Sequence, residues 1–206
     1  MNQWQDAEQF ADRALDMYER GRWAEAEVEL RKALQIDPDH GDWHFNLGLT
    51  LERTGRDAEA LSSFEQASRL LTDATDPQLA AGASCLRLGR FDDAIVWLEG
   101  VLSTYPSIEQ AWAMLIDAHA STENHDAAET SFYLAQDALS DPSASVLVAM
   151  SGSLLSRQLL DRATWCAREA LKLDSGVQGG RLRLASALVS SGNGQQASQI
   201  LLQELR

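Results

Sequence analysis

The run W-H-F-N-L-G-L-T-L-E-R-T-G-R-D-A-E-A-L-S-S-F-E-Q-A, residues 43–67, holds the pattern that decides the fold. Ala60, Phe64 and Ala67 follow one another at steps of four and three residues, and Gly55 separates them from an apolar run around Leu47 and Gly48. Steps of three and four place side chains on one face of a helix, whereas a strand needs steps of two. Moving outward, Gly21 and Gly89 lie 34 residues to either side of Gly55, and an alanine follows each glycine by five residues at Ala26, Ala60 and Ala94. The alanine series continues at Ala128, Ala163 and Ala197. Four residues further stand Leu30, Phe64, Leu98, Phe132, Ala167 and Leu201, and three beyond those stand Ala33, Ala67, Val101, Ala135, Ala170 and Glu204. Six repeats of two helices each follow from this register.

Pro38, Pro106 and Pro142 fall between repeats, where a proline ends one helix without disturbing its interior. The pattern predicts helix pairs at 5–20 and 23–36, 42–54 and 57–71, 76–88 and 91–104, 108–121 and 125–139, 144–157 and 160–173, and 178–191 and 194–205.

These residues resemble the tetratricopeptide repeat, whose pattern runs aromatic, Leu-Gly, aromatic, turn Gly, Ala, aromatic, Ala, Pro. The second repeat carries Leu47, Gly48, Gly55, Ala60, Phe64 and Ala67; the first supplies Gly21, Trp23, Ala26, Ala33 and Pro38, closing on A-L-Q-I-D-P. The third and fourth keep Gly82, Gly89, Phe91, Ala94, Pro106, Trp112, Leu115, Ala128, Phe132 and Ala135. The fifth begins one residue late and ends in A-R-E-A-L-K-L-D without its proline, and the sixth keeps Leu184, Gly192 and Ala197. The resemblance implies an all-α, right-handed α-solenoid of helix-turn-helix repeats. One domain is expected over residues 1–206, with repeats at about 7–40, 41–74, 75–108, 109–142, 144–177 and 178–206. Arg13, in place of a leucine, and Glu204, in place of Ala or Val, read as caps of a six-repeat array. Ile200, Leu201 and Leu205 leave an apolar edge for weak self-association, so a monomer or weak homo-oligomer is expected.

In this family the residues ten, nine, six and three places before the turn position tend to face the concave groove. Carried onto this chain, the resemblance gives a groove of Leu15, Phe45, Asn46, Leu49, Leu79, Leu86, Met114, Val148 and Leu182, with Asp12, Glu52 and nearby Glu8 at one end and Arg183 at the other. An apolar middle with acid at one end suits an apolar or amphipathic segment of another protein, with basic residues at one end of it. The same side chains also suit packing between repeats. Asn46 offers an amide for a ligand's backbone or for water. The two-carboxylate clamp of chaperone-binding members does not fit: its positions fall on Ala11, Leu15, Asn46, Asp76 and Ala80, and only Asn46 matches. Without cations there is nothing to hold carboxylates.

Net charge is −14, divided into 27 acidic and 10 basic residues over 1–142, and 4 and 7 over 143–206. That balance opposes broad nucleic-acid binding. The N-terminal residues have no basic region followed by an apolar one, and Pro142–Ser156 is too short and polar to insert in a bilayer, so no membrane insertion and a cytoplasmic setting are expected. Cys85 and Cys166 form no metal or redox spacing and read as buried apolar residues. His40 and His44 are four apart but lack a third ligand; His119 and His125 fall at packing or turn positions. The six tryptophans read as core and capping residues. Gly192-Asn193-Gly194 is a helix-to-helix turn; there is no nucleophile elbow, phosphate loop or dinucleotide fingerprint, so neither catalysis nor a metal or other cofactor is expected.

The reading is a non-enzymatic adaptor or scaffold. Two others stand beside it: self-assembly of an acidic body with a basic C-terminal end, and a secretion-type chaperone, since A-A-E-T-S-F-Y-L-A-Q at 127–136 resembles the third repeat of class II type III secretion chaperones.

Overall fold

The computed structural model describes residues 3–204, with side chains for 4–202. These residues form twelve helices and no strand: α1 (Gln3–Glu19), α2 (Trp23–Ile36), α3 (Gly41–Arg53), α4 (Asp57–Leu70), α5 (Thr75–Arg87), α6 (Phe91–Thr104), α7 (Glu109–Ser121), α8 (His125–Ala138), α9 (Ala144–Ser156), α10 (Leu160–Leu173), α11 (Gly180–Ser190) and α12 (Gly194–Glu204). Each expected helix is present, with described ends within two residues of the sequence reading.

The hairpin turn between paired helices is the same device six times. Gly21, Gly55, Gly89 and Gly192 take left-handed φ of 71 to 80°, which glycine adopts without a Cβ penalty. The following amide reaches back to the first helix, as Arg22 N does to Met17 O at 2.8 Å and Asn193 N to Leu188 O at 2.8 Å, satisfying a carbonyl the helix end leaves free. In the fourth and fifth hairpins Glu123 and Gln158 hold the same position at φ 59°, a strained value for residues with a Cβ.

The chain divides into two compact units, one ending at Trp97 and the other starting at Leu98, so the boundary falls inside α6. In the first unit, consecutive helices α1 to α5 pack against one another. In the second, α9 packs on α7, α8, α10 and α11, so first helices of successive repeats lie side by side. Ala26, Ala60, Ala94, Ala128 and Ala163 are completely buried, as are Ala33, Ala67, Val101, Ala135 and Ala170. Their small side chains let neighbouring helices approach closely and bury a stripe that a lone hairpin leaves in water.

Gly48 makes one such approach: a Cβ there would come within 2.4 Å of the buried Phe64 ring. Leu201, the last of the four-beyond series, is exposed; the side chain of Glu204 and all of Leu205 lie outside the described residues. Arg13 sits half in water, 3.0 Å from the buried Glu29 carboxylate and over the Phe10 ring.

Ion pairs stitch hairpins together inside each unit. Arg56 of the second hairpin reaches Glu27 of the first at 2.7 Å, Arg87 of the third reaches Asp57 at 2.6 Å, and Arg157 and Arg162 of the fifth converge on Glu129 of the fourth. At Glu27, burial favours the neutral acid, but the Arg56 and Arg31 hydrogen bonds outweigh it and lower the pKa. Both cysteines are free and buried; desolvation pushes Cys85 up and Cys166 up to about 11, which makes them inert thiols. Not every tryptophan is core: Trp43 and Trp112 are buried, whereas Trp4 and Trp165 are 58% and 57% exposed because their helix positions face outward.

Candidate binding groove

The positions ten, nine, six and three before each turn lie three residues or fewer apart on the first helix of each repeat, a spacing that sets them along one side of a helix. In the first unit, α1 and α3 enclose a cleft of about 120 Å³ whose walls include Ala11, Leu15, Tyr18, Asn46 and Leu49 and whose floor is Leu30. Leu15, Asn46 and Leu49 are thus brought together. Leu15 is 54% exposed. The Asn46 carbonyl accepts from Thr50 Oγ1 at 2.7 Å, while its side-chain amide makes no hydrogen bond among the described residues. Phe45 is tied to the core instead, its ring tilted on Phe64 at 5.7 Å. Leu79 and Leu86 are half-buried on α5.

Charge is placed at the edge of this cleft. Tyr18 Oη accepts from Arg53 Nε at 3.0 Å, and Glu52 meets Arg87 at 3.2 Å. Glu8 and Asp12, exposed on α1, form no ion pair among the described residues, so their negative charge is uncompensated there.

In the second unit α7, α9 and α11 present the corresponding face. Met114 is half-buried, Val148 is buried with Cγ1 against Gly179, and Leu182 is 58% exposed. The structure adds a feature that spacing alone did not reveal. Asp117 of α7 and Arg183 of α11 pair at 3.8 Å, with the guanidinium lying over Gly152 of α9, where a Cβ would come within 2.8 Å of it. Desolvation raises the Asp117 carboxyl above its ordinary value, and Arg183 only partly offsets this. The signal was present as Asp117, Gly152 and Arg183 at groove positions of three successive repeats, but only the rise from α7 to α11 brings the two charges together.

His40 stacks on Trp43 at 3.9 Å and His44 Nε2 meets the Pro38 carbonyl at 2.7 Å, so both rings serve the connector. Among the described residues no three His, Cys, Asp or Glu side chains gather in a metal-binding arrangement, and no helix is long and apolar enough to cross a membrane.

A family profile described as tetratricopeptide repeat matches residues 11–74 and 79–143, more than half of the chain. No curated protein matches it. Among solved structures, a tetratricopeptide repeat protein from Parabacteroides merdae aligns with TM-score 0.80 at 18% identity, over 97% of this chain and 78% of that one. YrrB, described as a TPR protein with an unusual peptide-binding site, aligns at 0.69 and 17% identity over 91% and 92% of the two chains. PilW, described as a widely conserved type IV pilus biogenesis factor, aligns at 0.75 and 17% over 96% and 91%. At these identities the likeness is one of fold.

Proposed function

The chain belongs to the tetratricopeptide repeat family, and on that premise we propose that it is a non-enzymatic adaptor whose first helices hold an apolar or amphipathic segment of a partner protein. Repeats of this family form protein–protein interaction scaffolds. The observation that carries the finer reading is the cleft between α1 and α3: exposed Leu15 beside Leu49, with the Asn46 amide free to bond a ligand backbone. A helix with apolar residues at i, i+3, i+4 and i+7 matches such a surface. Glu8 and Asp12 suit lysine or arginine at one end of it. The peptide-binding description of YrrB, a fold neighbour, supports a peptide ligand. In this reading residues 1–206 act as one six-repeat array, and the buried, free cysteines suit a reducing cytoplasm.

The test uses a fluorescent amphipathic peptide with leucines at that spacing and lysines at one end, read by anisotropy. Leu49→Glu with Leu86→Glu weakens binding by more than about 10-fold, because two carboxylates must be desolvated against an apolar ligand. Circular dichroism of the variant stays helical. Unchanged binding in a folded variant removes the groove model.

A further inference from the structure

The connector between α8 and α9 is longer than the three repeat-to-repeat connectors that precede it, and only the six-residue connector 174–179 between α10 and α11 is longer still among the described residues. Four residues join α2 to α3, α4 to α5, and α6 to α7, whereas five, 139–143, join α8 to α9. At two of the four-residue connectors a ring nitrogen on the following helix meets the proline carbonyl six residues earlier: His44 Nε2 with Pro38 O at 2.7 Å, and Trp112 Nε1 donating to Pro106 O at 2.8 Å. The equivalent residue on α9 is Leu147, which has no nitrogen to offer. The connector is held at its two ends, where Leu139 N donates to Ala135 O at 2.9 Å and Ser143 Oγ accepts from Val146 N at 3.2 Å, and residues 140–142 between them make no hydrogen bond to α9 among the described residues.

At this junction a cleft of about 350 Å³ lies open between α8, the connector, α9 and α10. Phe132, Leu139, Leu147 and Leu173 line it, and Trp165 forms one wall. The volume is at the bottom of the range of roughly 300–1,000 Å³ for small-molecule pockets. A space of this size takes one or two large side chains.

Trp165 is itself a departure from the repeat. The corresponding residues of the other repeats are Val28, Ser62, Val96, Thr130 and Gln199, and none is aromatic. With 57% of its surface in water, Trp165 is the kind of rigid, amphipathic side chain that anchors interfaces. On its other side a second cleft, of about 420 Å³, is lined by Phe132, Tyr133, Met150 and Leu154. Tyr133 is also exposed, and it stands where the other repeats carry Arg31, Glu65, Glu99, Arg168 and Leu202. Of these two aromatic residues on adjacent second helices, Trp165 borders both clefts and Tyr133 borders the second.

The charge at the rim of the first cleft selects the occupant. Asp141 is exposed and makes no ion pair among the described residues; Glu169 is shared with Lys172 at 2.6 Å. Between Phe91 and Ser156 the sequence has no Lys or Arg at all. We propose that this cleft, separate from the first-helix groove, is a second docking site, taking a segment of another protein that presents one bulky apolar or aromatic side chain flanked by lysine or arginine. The side chain enters between Leu147 and Trp165, and the flanking cations meet Asp141 and Glu169.

Three pentapeptides test this with the whole chain under nitrogen-15 NMR: one with tryptophan between two lysines, one with alanine between two lysines, and one with tryptophan between two glutamates. The lysine–tryptophan peptide shifts the Trp165 indole N–H and the amides of 139–147, and the alanine peptide does not. The glutamate peptide binds at least about 5-fold more weakly, as expected of a few surface charge contacts. Trp165→Ala abolishes the shifts, and Asp141→Lys removes the preference for the lysine peptide; both are surface substitutions, and circular dichroism checks their folding. Equal shifts with the tryptophan and alanine peptides overturn the proposal. So do shifts that fall on Asn46 and Leu49 instead, or on all six tryptophans alike. Because Leu49→Glu with Leu86→Glu leaves this cleft untouched, loss of the groove reading and loss of this one are separable.

Discussion

Gly48→Ala tests whether close helix approach or helix propensity governs the second repeat. An alanine Cβ at this position would lie 2.4, 2.5 and 2.9 Å from three atoms of the Phe64 ring. Carbon atoms pack best at about 3.5–4.0 Å, so the ring must retreat by roughly 1 Å. It has little room to do so. Phe64 is 0% exposed, and the Phe45 ring, one turn before Gly48 on α3, also packs on it with ring centroids 5.7 Å apart. Overpacking of this kind costs about 1–3 kcal/mol, and three contacts this short put it in the upper half of that range. Against it stands a gain of about 1 kcal/mol from replacing glycine inside a helix. The expected net effect is a loss of about 1–2 kcal/mol, read as a lower urea midpoint at 222 nm by circular dichroism. Phe64→Leu, which shortens the ring edge, costs on the order of 1 kcal/mol alone. Combined with Gly48→Ala it should recover about 1 kcal/mol relative to the sum of the two single variants. A raised midpoint for Gly48→Ala, or strict additivity in the double variant, would falsify the close-packing argument.

Other perturbations follow from the same geometry. His119 is 8% exposed with Nδ1 unpartnered, at a core position where the other repeats have Met17, Leu51, Cys85, Leu154 and Leu188. Burial lowers its pKa, with the nearby Glu99 charge opposing, so the unfolded chain takes up the proton first and stability falls as pH drops below about 6.5. His119→Leu should flatten that slope and add about 1 kcal/mol at neutral pH by removing the unmet polar atom, as denaturant titrations at several pH values will show. At the hairpin turns with φ 59°, Glu123→Gly and Gln158→Gly each relieve left-handed strain and should stabilise by up to about 1 kcal/mol, whereas Gly55→Ala, at φ 73°, should destabilise by a similar amount; thermal melts read both. Arg183→Ala removes the partner that holds the Asp117 charge, so the carboxyl pKa, followed by carbon-13 NMR, rises further.

Local rules made the helices legible. The spacing of Ala60, Phe64 and Ala67 states the helical period, and Gly55 marks a turn that needs left-handed φ. The fourth and fifth turns carry Glu123 and Gln158, which have no such signature; the 34-residue period located the fourth, and the one-residue delay of the fifth repeat was visible in the alanine series. Candidate groove residues were legible as positions but not as states. Leu15, Asn46 and Leu49 share a cleft, Phe45 leans on Phe64, and Val148 is buried against Gly179, although all five carry similar marks in the repeat.

The sequence by itself determined that this is a helical-repeat protein, how many hairpins it has and which faces they bury, because those follow from side-chain period and turn chemistry within a few dozen residues. Tertiary structure decided which of those side chains meet. The Asp117–Arg183 pair joins residues two repeats apart, and the cleft beside Trp165 lies at a five-residue connector where Leu147 stands in place of the His44 and Trp112 rings of the second and fourth repeats. Such contacts depend on how far one hairpin is displaced from the next, a quantity that sums small backbone differences over many residues and that no local pattern records.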